Sequence, residues 1–294
     1  MDKKDLLIAK KLLDNCRITY RELANTLNLS VNAVYKRVQN MLDSGLILAF
    51  TAKPSLIALN GIEVLIFGKT TYQNLDKLSK RLGKHESVYF IGLAAGNWIY
   101  IGAYLRNIAE LHEFTTFITK TADLTDSKTC IKKSPYRESA EELKALDYEI
   151  LKGLRLDARR SISDLANEIG VSAKTARKRI KKMEEYDLVD FSINFAPQMI
   201  TSNFHIYLER NKDYHREFKR IEAKYDEFIL YLQQFSNLPN FIMMTALTNT
   251  NQESADLHQR LQQEGFQTLE HHIFYNGYFF ETWRDRLYNK RVNT

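Results

Sequence analysis

The feature that most limits the fold of this chain is an internal repeat. Residues Asp5–Ile47 can be laid on Asp147–Val189 without a gap. Identical residues fall at Ile8/Ile150, Leu12/Leu154, Arg17/Arg159, Leu23/Leu165, Ala24/Ala166, Asn25/Asn167, Ser30/Ser172, Lys36/Lys178, Arg37/Arg179, Met41/Met183 and Leu46/Leu188. A weaker correspondence continues downstream. Gly96-Asn97-Trp98-Ile99 stands opposite Pro239-Asn240-Phe241-Ile242, and Ala109-Glu110-Leu111-His112 opposite Ala255-Asp256-Leu257-His258, after a small insertion around Thr248–Thr250. Self-similarity of this kind means one structural unit built twice. It divides the chain into segments 1–53, 54–136, 137–196 and 197–294, with the halves meeting near Ser134-Pro135.

Composition narrows the class. At 294 residues, with 44% hydrophobic and 27% charged, the chain has an ordinary globular make-up and room for several small domains. The net charge of +6 favours an acidic partner. Cys16 and Cys130 form no CxxC pair, which argues against a disulfide scaffold or structural zinc and fits a reducing cytosol. The amphipathic, charged start MDKKDLLIAKKLLDN has no apolar signal-peptide core. The most apolar stretch, Ser87–Leu105, is interrupted by Gly96-Asn97 and is rich in β-branched and aromatic residues. It reads as two strands rather than a membrane span. A cytoplasmic protein without membrane contact is expected.

In each copy a helix with apolar residues at helical spacing leads to a capping signal, Thr19-Tyr20-Arg21-Glu22 and then Ser161-Ile162-Ser163-Asp164. The second helix carries Leu23, Ala24 and Leu27 inward and stops at Asn28, or Gly170, both suited to a left-handed turn. Ser30 and Ser172 then cap a third helix at once. Two helices across so short a turn, with a helix before them, make a helix-turn-helix. Gly45–Phe50 and Leu188–Ile193 follow as short strands, the wing.

The third helix carries the functional expectation. Val31, Val34, Val38, Met41 and Leu42 form one apolar stripe. The opposite face presents Asn32, Ala33, Lys36 and Asn40, flanked by Tyr35 and Arg37. In the second copy it presents Lys174, Thr175, Lys178 and Lys182, flanked by Arg177, Arg179 and Lys181. A helix fits the major groove, amides and arginines near its start reach base edges, and lysines neutralise phosphates. The expected DNA-binding residues are therefore these, Lys181 apart, together with the capping Ser30 and Ser172. Lys53 is a candidate wing contact.

The stretch LANTLNLSVNAVYKRVQNMLDSGLI, and its second copy, resembles the winged-helix domain of Lrp/AsnC (feast/famine) transcription regulators. By that resemblance Arg37 and Arg179 contact the DNA backbone. The segments after each reader give a strand–helix–strand–strand–helix–strand order. In the first copy its elements are Ile62–Thr70, Asn74–Leu82, Val88–Leu93, Trp98–Leu105, Ala109–Thr119 and Lys128–Lys132. In the second they are Phe204–Leu208, Tyr214–Tyr225, Phe228–Leu232, Phe241–Leu247, Ala255–Glu264 and Gln267–Tyr275, followed by an aromatic tail, Gly277–Trp283. The order is ferredoxin-like. The fold class expected is α+β: two winged helix-turn-helix domains, each followed by a ferredoxin-like βαββαβ domain.

This second domain looks like the family's effector and oligomerisation domain. The resemblance implies sheet-to-sheet dimers or higher homo-oligomers and a small-molecule, often amino-acid, effector near Gly96, Asn97 and Trp98. The family's Gly-x-aromatic-Asp turn is altered here: Ile99 follows Trp98, and Pro239 replaces the glycine in the second copy. Sheet pairing within one chain and between chains both remain open.

No GxSxG, P-loop, HExxH or GxGxxG arrangement occurs, so no catalytic residue, cofactor or metal is assigned. His271-His272 are neighbours on a strand and point to opposite faces, and His112 and His258 read as surface histidines. Two alternatives stand beside the regulator. One is an architectural DNA binder without an effector. The other is a siroheme (haem-precursor) decarboxylase, an enzyme class that resembles this domain pair. It would use His205, His215, His258, His271 and Arg210.

Overall fold

The computed structural model describes residues 1–133 and 141–290, so the expected boundary at Ser134-Pro135 lies outside the described residues. The first half runs α1 (Lys3–Asp14), α2 (Tyr20–Leu27), α3 (Val31–Asp43), β1 (Ile47–Pro54), β2 (Ile62–Thr70), α4 (Leu75–Leu82), β3 (Val88–Ala94), β4 (Trp98–Leu105), α5 (Leu111–Ala122) and β5 (Leu124–Ile131). The second runs α6 (Ala145–Leu154), α7 (Ile162–Glu168), α8 (Ala173–Glu185), β6 (Val189–Phe195), β7 (Ile200–Tyr207), α9 (Tyr214–Tyr225), β8 (Ile229–Gln234), β9 (Phe241–Thr248), α10 (Asn251–Gln262), β10 (Thr268–Phe279) and α11 (Leu287–Lys290). The fold is α+β, and no helix among the described residues is long and apolar enough to cross a membrane.

These elements gather by kind rather than by chain order. One compact unit holds both readers and the end of the chain, Met1–Asn60, Tyr136–Gln198 and Trp283–Thr294. The other holds both βαββαβ segments, Gly61–Pro135 and Met199–Thr282.

In the reader unit the capping signals act as the residues require. Thr19 Oγ1 accepts from Glu22 N–H at 3.1 Å while Glu22 accepts from Thr19 N–H at 2.8 Å. Ser161 supplies only its own half of such a box, to Ser163 and Asp164. Asn28 and Gly170 turn the chain with φ of 51° and 71°, an αL conformation in which asparagine and glycine are the least strained residues. Leu12, Leu23, Val34, Val38 and Met41 form one reader core, and Leu154, Leu165, Ala176, Ile180 and Met183 the other. Val31, placed on the apolar stripe by periodicity, is 46% exposed at the first position of α3, beyond the packed part of the stripe.

The wing differs from a feature private to each reader. β1 and β6 pair antiparallel with each other, as a two-stranded ribbon joining the copies. Thr51 faces Ser192 across it, and equivalent contacts repeat on either side. Cys16 N–H donates to the Phe191 carbonyl at 3.1 Å, and Ala158 N–H to that of Phe50 at 2.9 Å. Arg17 donates to the Ala158 carbonyl at 2.5 Å, and its repeat mate Arg159 to the Cys16 carbonyl at 2.7 Å. The Arg17 guanidinium lies 5.5 Å from the Phe191 ring centre, and that of Arg159 5.4 Å from Phe50. Each reader thus grips the other with the same residues, the contact logic of a two-fold dimer inside one chain. A register shift between Ile47 and Ala49 leaves Leu48 as an extra, exposed residue in the first strand, a bulge. The final segment packs here too: Arg284 Nε donates to the Pro54 carbonyl at 2.5 Å and its guanidinium pairs with Asp190, while Tyr288 donates to the Ala52 carbonyl at 2.6 Å. Lys53, the candidate wing contact, is paired with buried Asp285 at 2.6 Å.

In the second unit each segment forms a four-stranded antiparallel sheet, and the two join in the order β5-β2-β4-β3-β10-β7-β9-β8. The pairing left open by the sequence therefore occurs within the chain. Helices cover one face of each sheet: Leu78, Leu82, Phe114 and Ile118 in the first copy, and Ile221, Leu257 and Leu261 in the second, sit in their respective cores. A third core contains Phe67, Tyr100, Phe235, Phe241 and Met243, contributed by both copies.

β10 is longer than periodicity suggests. Its first half pairs with β7 and its second half, Phe274–Phe279, with β3. What reads as an aromatic tail is therefore a strand extension, and Tyr278 and Phe280 pack against the first copy's core. Gly92 permits this seam, because a Cβ there would lie 2.3 Å from the Phe274 ring. A second seam, the bridge Lys132↔Phe235, joins β5 to the end of β8. β7 also starts earlier than its apolar run suggests. Polar Ser202 and Asn203 are buried there because Ser254 and Thr245 hydrogen-bond them. α10 begins at the insertion, with Thr250 as its cap.

One partly buried carboxylate gathers donors from α9 of the second copy. Glu264 accepts from Lys224, Tyr225 and Arg220. Burial alone would raise its pKa, but these donors outweigh it and hold the carboxyl down to about 2. A depressed folded-state value adds stability above the unfolded value and loses it as pH falls toward the folded one. Stability measured by denaturant titration is expected to fall between pH 4.5 and about 2, on the order of 2 kcal/mol of that loss belonging to Glu264. In Glu264→Gln this part of the acid slope should be absent; an unchanged slope would contradict the assignment.

Candidate functional site

The third helix of each reader presents a solvent face set by its core stripe. On α3, Ser30 Oγ accepts from Ala33 N–H at 3.1 Å, and Asn32, Tyr35, Lys36 and Asn40 are exposed. On α8, Ser172 Oγ accepts from Thr175 N–H at 3.0 Å, and Lys174, Thr175, Arg177 and Lys178 are exposed. Lys36, Lys174, Arg177 and Lys178 pair with no carboxylate among the described residues. α3 is thus mostly amide and hydroxyl, and α8 mostly cationic.

Three of the expected contact residues are ion-paired to carboxylates of the same chain. Arg37 pairs with Asp5 at 2.6 Å and Asp2 at 2.7 Å, and these hydrogen bonds raise its pKa. Arg179 pairs with Asp147, the repeat mate of Asp5, through Nε at 2.8 Å and a second, shorter contact. Asp147 is fully buried and also accepts from the Lys144 N–H at 2.8 Å. These duplicated ion pairs fasten the third helix to the first in each reader. Lys182 is paired with Glu141 at 2.7 Å.

A second candidate site lies between the sheets. His205 on β7 is fully buried; its Nε2 is 2.9 Å from Tyr100 Oη and its Nδ1 2.9 Å from Glu270 Oε2. His272, on the same face of β10 as Glu270, stacks on His205 with ring centres 4.6 Å apart and places Nε2 3.7 Å from Glu270. Trp98 stands edge-on to His272 at 4.3 Å. Burial lowers the pKa of His205, and pushes that of His272 down to about 4, so both imidazoles are neutral at pH 7. Glu270 is lowered, first by its hydrogen bond from His205.

Comparison with known proteins identifies the readers. A model of the AsnC-type helix-turn-helix domain matches residues 143–184, and one of the winged helix-turn-helix DNA-binding domain matches residues 1–47. An uncharacterized HTH-type transcriptional regulator of Pyrococcus furiosus is 35% identical over 106 residues, 36% of this chain and 72% of that protein. The HTH-type transcriptional regulator LysM of Sulfurisphaera tokodaii is 31% identical over 99 residues, 33% of this chain and 69% of LysM. This chain belongs to the Lrp/AsnC family of transcription regulators. Among solved structures, the siroheme decarboxylase NirDL matches with a TM-score of 0.63 over 99% of both chains, at 11% identity, a likeness of fold.

In this regulator the expected effector residues separate. Gly96 and Asn97 form an exposed turn with φ of 75° and 59°, whereas Trp98 is half-buried beside His272. The histidines named for a tetrapyrrole separate as well. His215 and Arg210 are exposed, and His271 points away from His272 to stack on Phe204 near His258. Sequence reading missed the His205–Glu270–His272 set. The alternation Glu270-x-His272 puts two donors on one strand face, but His205 joins them only through the β7–β10 pairing.

Proposed function

We propose that the regulator binds double-stranded DNA with sequence preference, a single chain offering both readers to two unequal half-sites. The observation that carries this is the exposed cationic face of α8 behind its Ser172 cap, beside an α3 face of amides held in the same unit. Lys174, Arg177 and Lys178 would neutralise phosphates, and Asn32, Lys36 and Asn40 with Tyr35 would meet base edges. Arg37 and Arg179 would position these helices through Asp5 and Asp147 rather than carry phosphate contacts.

The test is a titration of a fluorescent duplex from the gene's own upstream region, with a scrambled duplex beside it, at several salt concentrations. The expected result is a log–log salt slope of roughly −4 to −6 and tighter binding to the native duplex. Sedimentation of the complex should give one chain per minimal duplex. Equal affinity for both duplexes would mean an architectural binder, and no binding at low salt would end the regulator reading for this chain. A small-molecule effector is the finer part of the proposal, supported by Trp98 facing the interior set. Repeating the titration with free amino acids tests it: affinities that do not move would remove the effector.

NirDL has also been solved with an iron-uroporphyrin III analogue. A tetrapyrrole reading of this chain has less support, because the histidines and arginine it needs do not converge. Adding an iron tetrapyrrole and finding a shifted Soret band with one-to-one stoichiometry would revive it.

A further inference from the structure

We propose that His205, Glu270 and His272 form a binding site for one divalent transition-metal ion of the imidazole-preferring class, such as zinc, cobalt or nickel. The inference is independent of the DNA-binding proposal and rests on geometry. One ligand atom from each residue can be chosen so that all lie within 4.8 Å of one another. The separations to the Glu270 oxygen are 2.9 Å from His205 and 3.7 Å from His272. A four-coordinate ion with bonds of about 2.0–2.2 Å spaces its ligand atoms roughly 3.3–3.5 Å apart, so small side-chain shifts suffice.

The surroundings suit such a site. The strand pairing fixes the donors: His205 lies opposite Glu270 in the β7–β10 ladder, and His272 follows on the same face. On metal binding His205 would shift its proton from Nδ1 to Nε2, where Tyr100 Oη, 2.9 Å away, can accept it, and the Nδ1 lone pair freed from Glu270 would face the ion. Phe67, Trp98 and Phe241 surround the buried imidazoles. Glu270 is 35% exposed, which provides an entry path and leaves a fourth position for water or a small ligand.

The donor set selects the ion. Two imidazole nitrogens and a single carboxylate suit zinc, cobalt, nickel or iron, whereas magnesium and calcium need more oxygen ligands. Lys128, hydrogen-bonded to the Tyr207 hydroxyl, adds positive charge nearby. That charge opposes any cation, so binding rests on the donor bonds of the two imidazoles and the carboxylate.

The test uses tag-free full-length chain stripped with chelator and titrated with cobalt(II). One equivalent should bind, giving the visible d–d absorption of a low-coordinate nitrogen–oxygen site, and excess magnesium should not displace it. Glu270→Gln and His272→Asn should each weaken binding at least about tenfold, with circular dichroism unchanged. His271→Asn, on the opposite strand face, should bind as the parent does. If His272→Asn fails to fold, Glu270→Gln alone decides. The proposal is overturned if the folded parent gives no cobalt band, if magnesium displaces the ion, or if Glu270→Gln binds cobalt with parental affinity.

Discussion

Replacing Lys174, Arg177 and Lys178 together by alanine is expected to lower affinity for every duplex roughly 500-fold at 0.1 M salt. Each phosphate neutralised contributes about 0.9 to the log–log salt slope, so three contacts account for about 2.7 log units at that concentration. The slope itself should become shallower by about 2.7, and the ratio of native to scrambled binding should stay nearly constant. The side chains are exposed, so folding should be unaffected. Asn32→Ala with Asn40→Ala is the contrasting pair. It should reduce the native-to-scrambled ratio and leave the salt slope alone, because amides read base edges and carry no charge. A loss confined to the native duplex in the lysine–arginine variant would contradict the division of labour between α8 and α3.

The largest stability loss is expected from Asp147→Ala. Its carboxylate is fully buried, receives two bonds from Arg179 and caps the Lys144 N–H. Removing it leaves a guanidinium whose side chain is only 17% exposed without its carboxylate, at a cost of ~3–5 kcal/mol. The reader unit should melt roughly 10–20 °C lower. The repeat mate provides an internal comparison. In Asp5→Ala, Arg37 keeps Asp2 at 2.7 Å and is 29% exposed, so a loss of about 1 kcal/mol is expected. Thermal unfolding of both variants checks this. Equal losses would mean that burial does not decide the strength of the two pairs.

Much of this architecture was legible in residues alone. The gapless repeat, the caps at Thr19, Ser30 and Ser172, and the left-handed positions at Asn28 and Gly170 are local signals, and the helices follow them. The strand–helix–strand–strand–helix–strand order of each second segment likewise matches the observed sheets, in which β3–β4 and β8–β9 pair across short turns while β2 and β7 pair with strands that lie beyond a helix. The exposed and core-facing sides of the third helix follow from periodicity. The ion pairs of Arg37, Arg179 and Lys182 with Asp5, Asp147 and Glu141 do not, because those acids come from segments that precede the reader's second helix and approach only in the folded unit.

The kinds of elements and their twofold repetition follow from local residue signals, since caps, turns and apolar periods act over a few residues. Which copies meet is set by long-range packing. β1 pairs with β6 rather than within its own reader, and Arg17 and Arg159 bridge the two readers reciprocally beside that ribbon. β10 runs on past its own sheet because Gly92 admits Phe274 at the seam with β3. The same long-range pairing brings His205 to Glu270 and His272, residues whose closeness depends on ladder register. Register is set by burial across whole sheets, and no local stretch of residues contains that information.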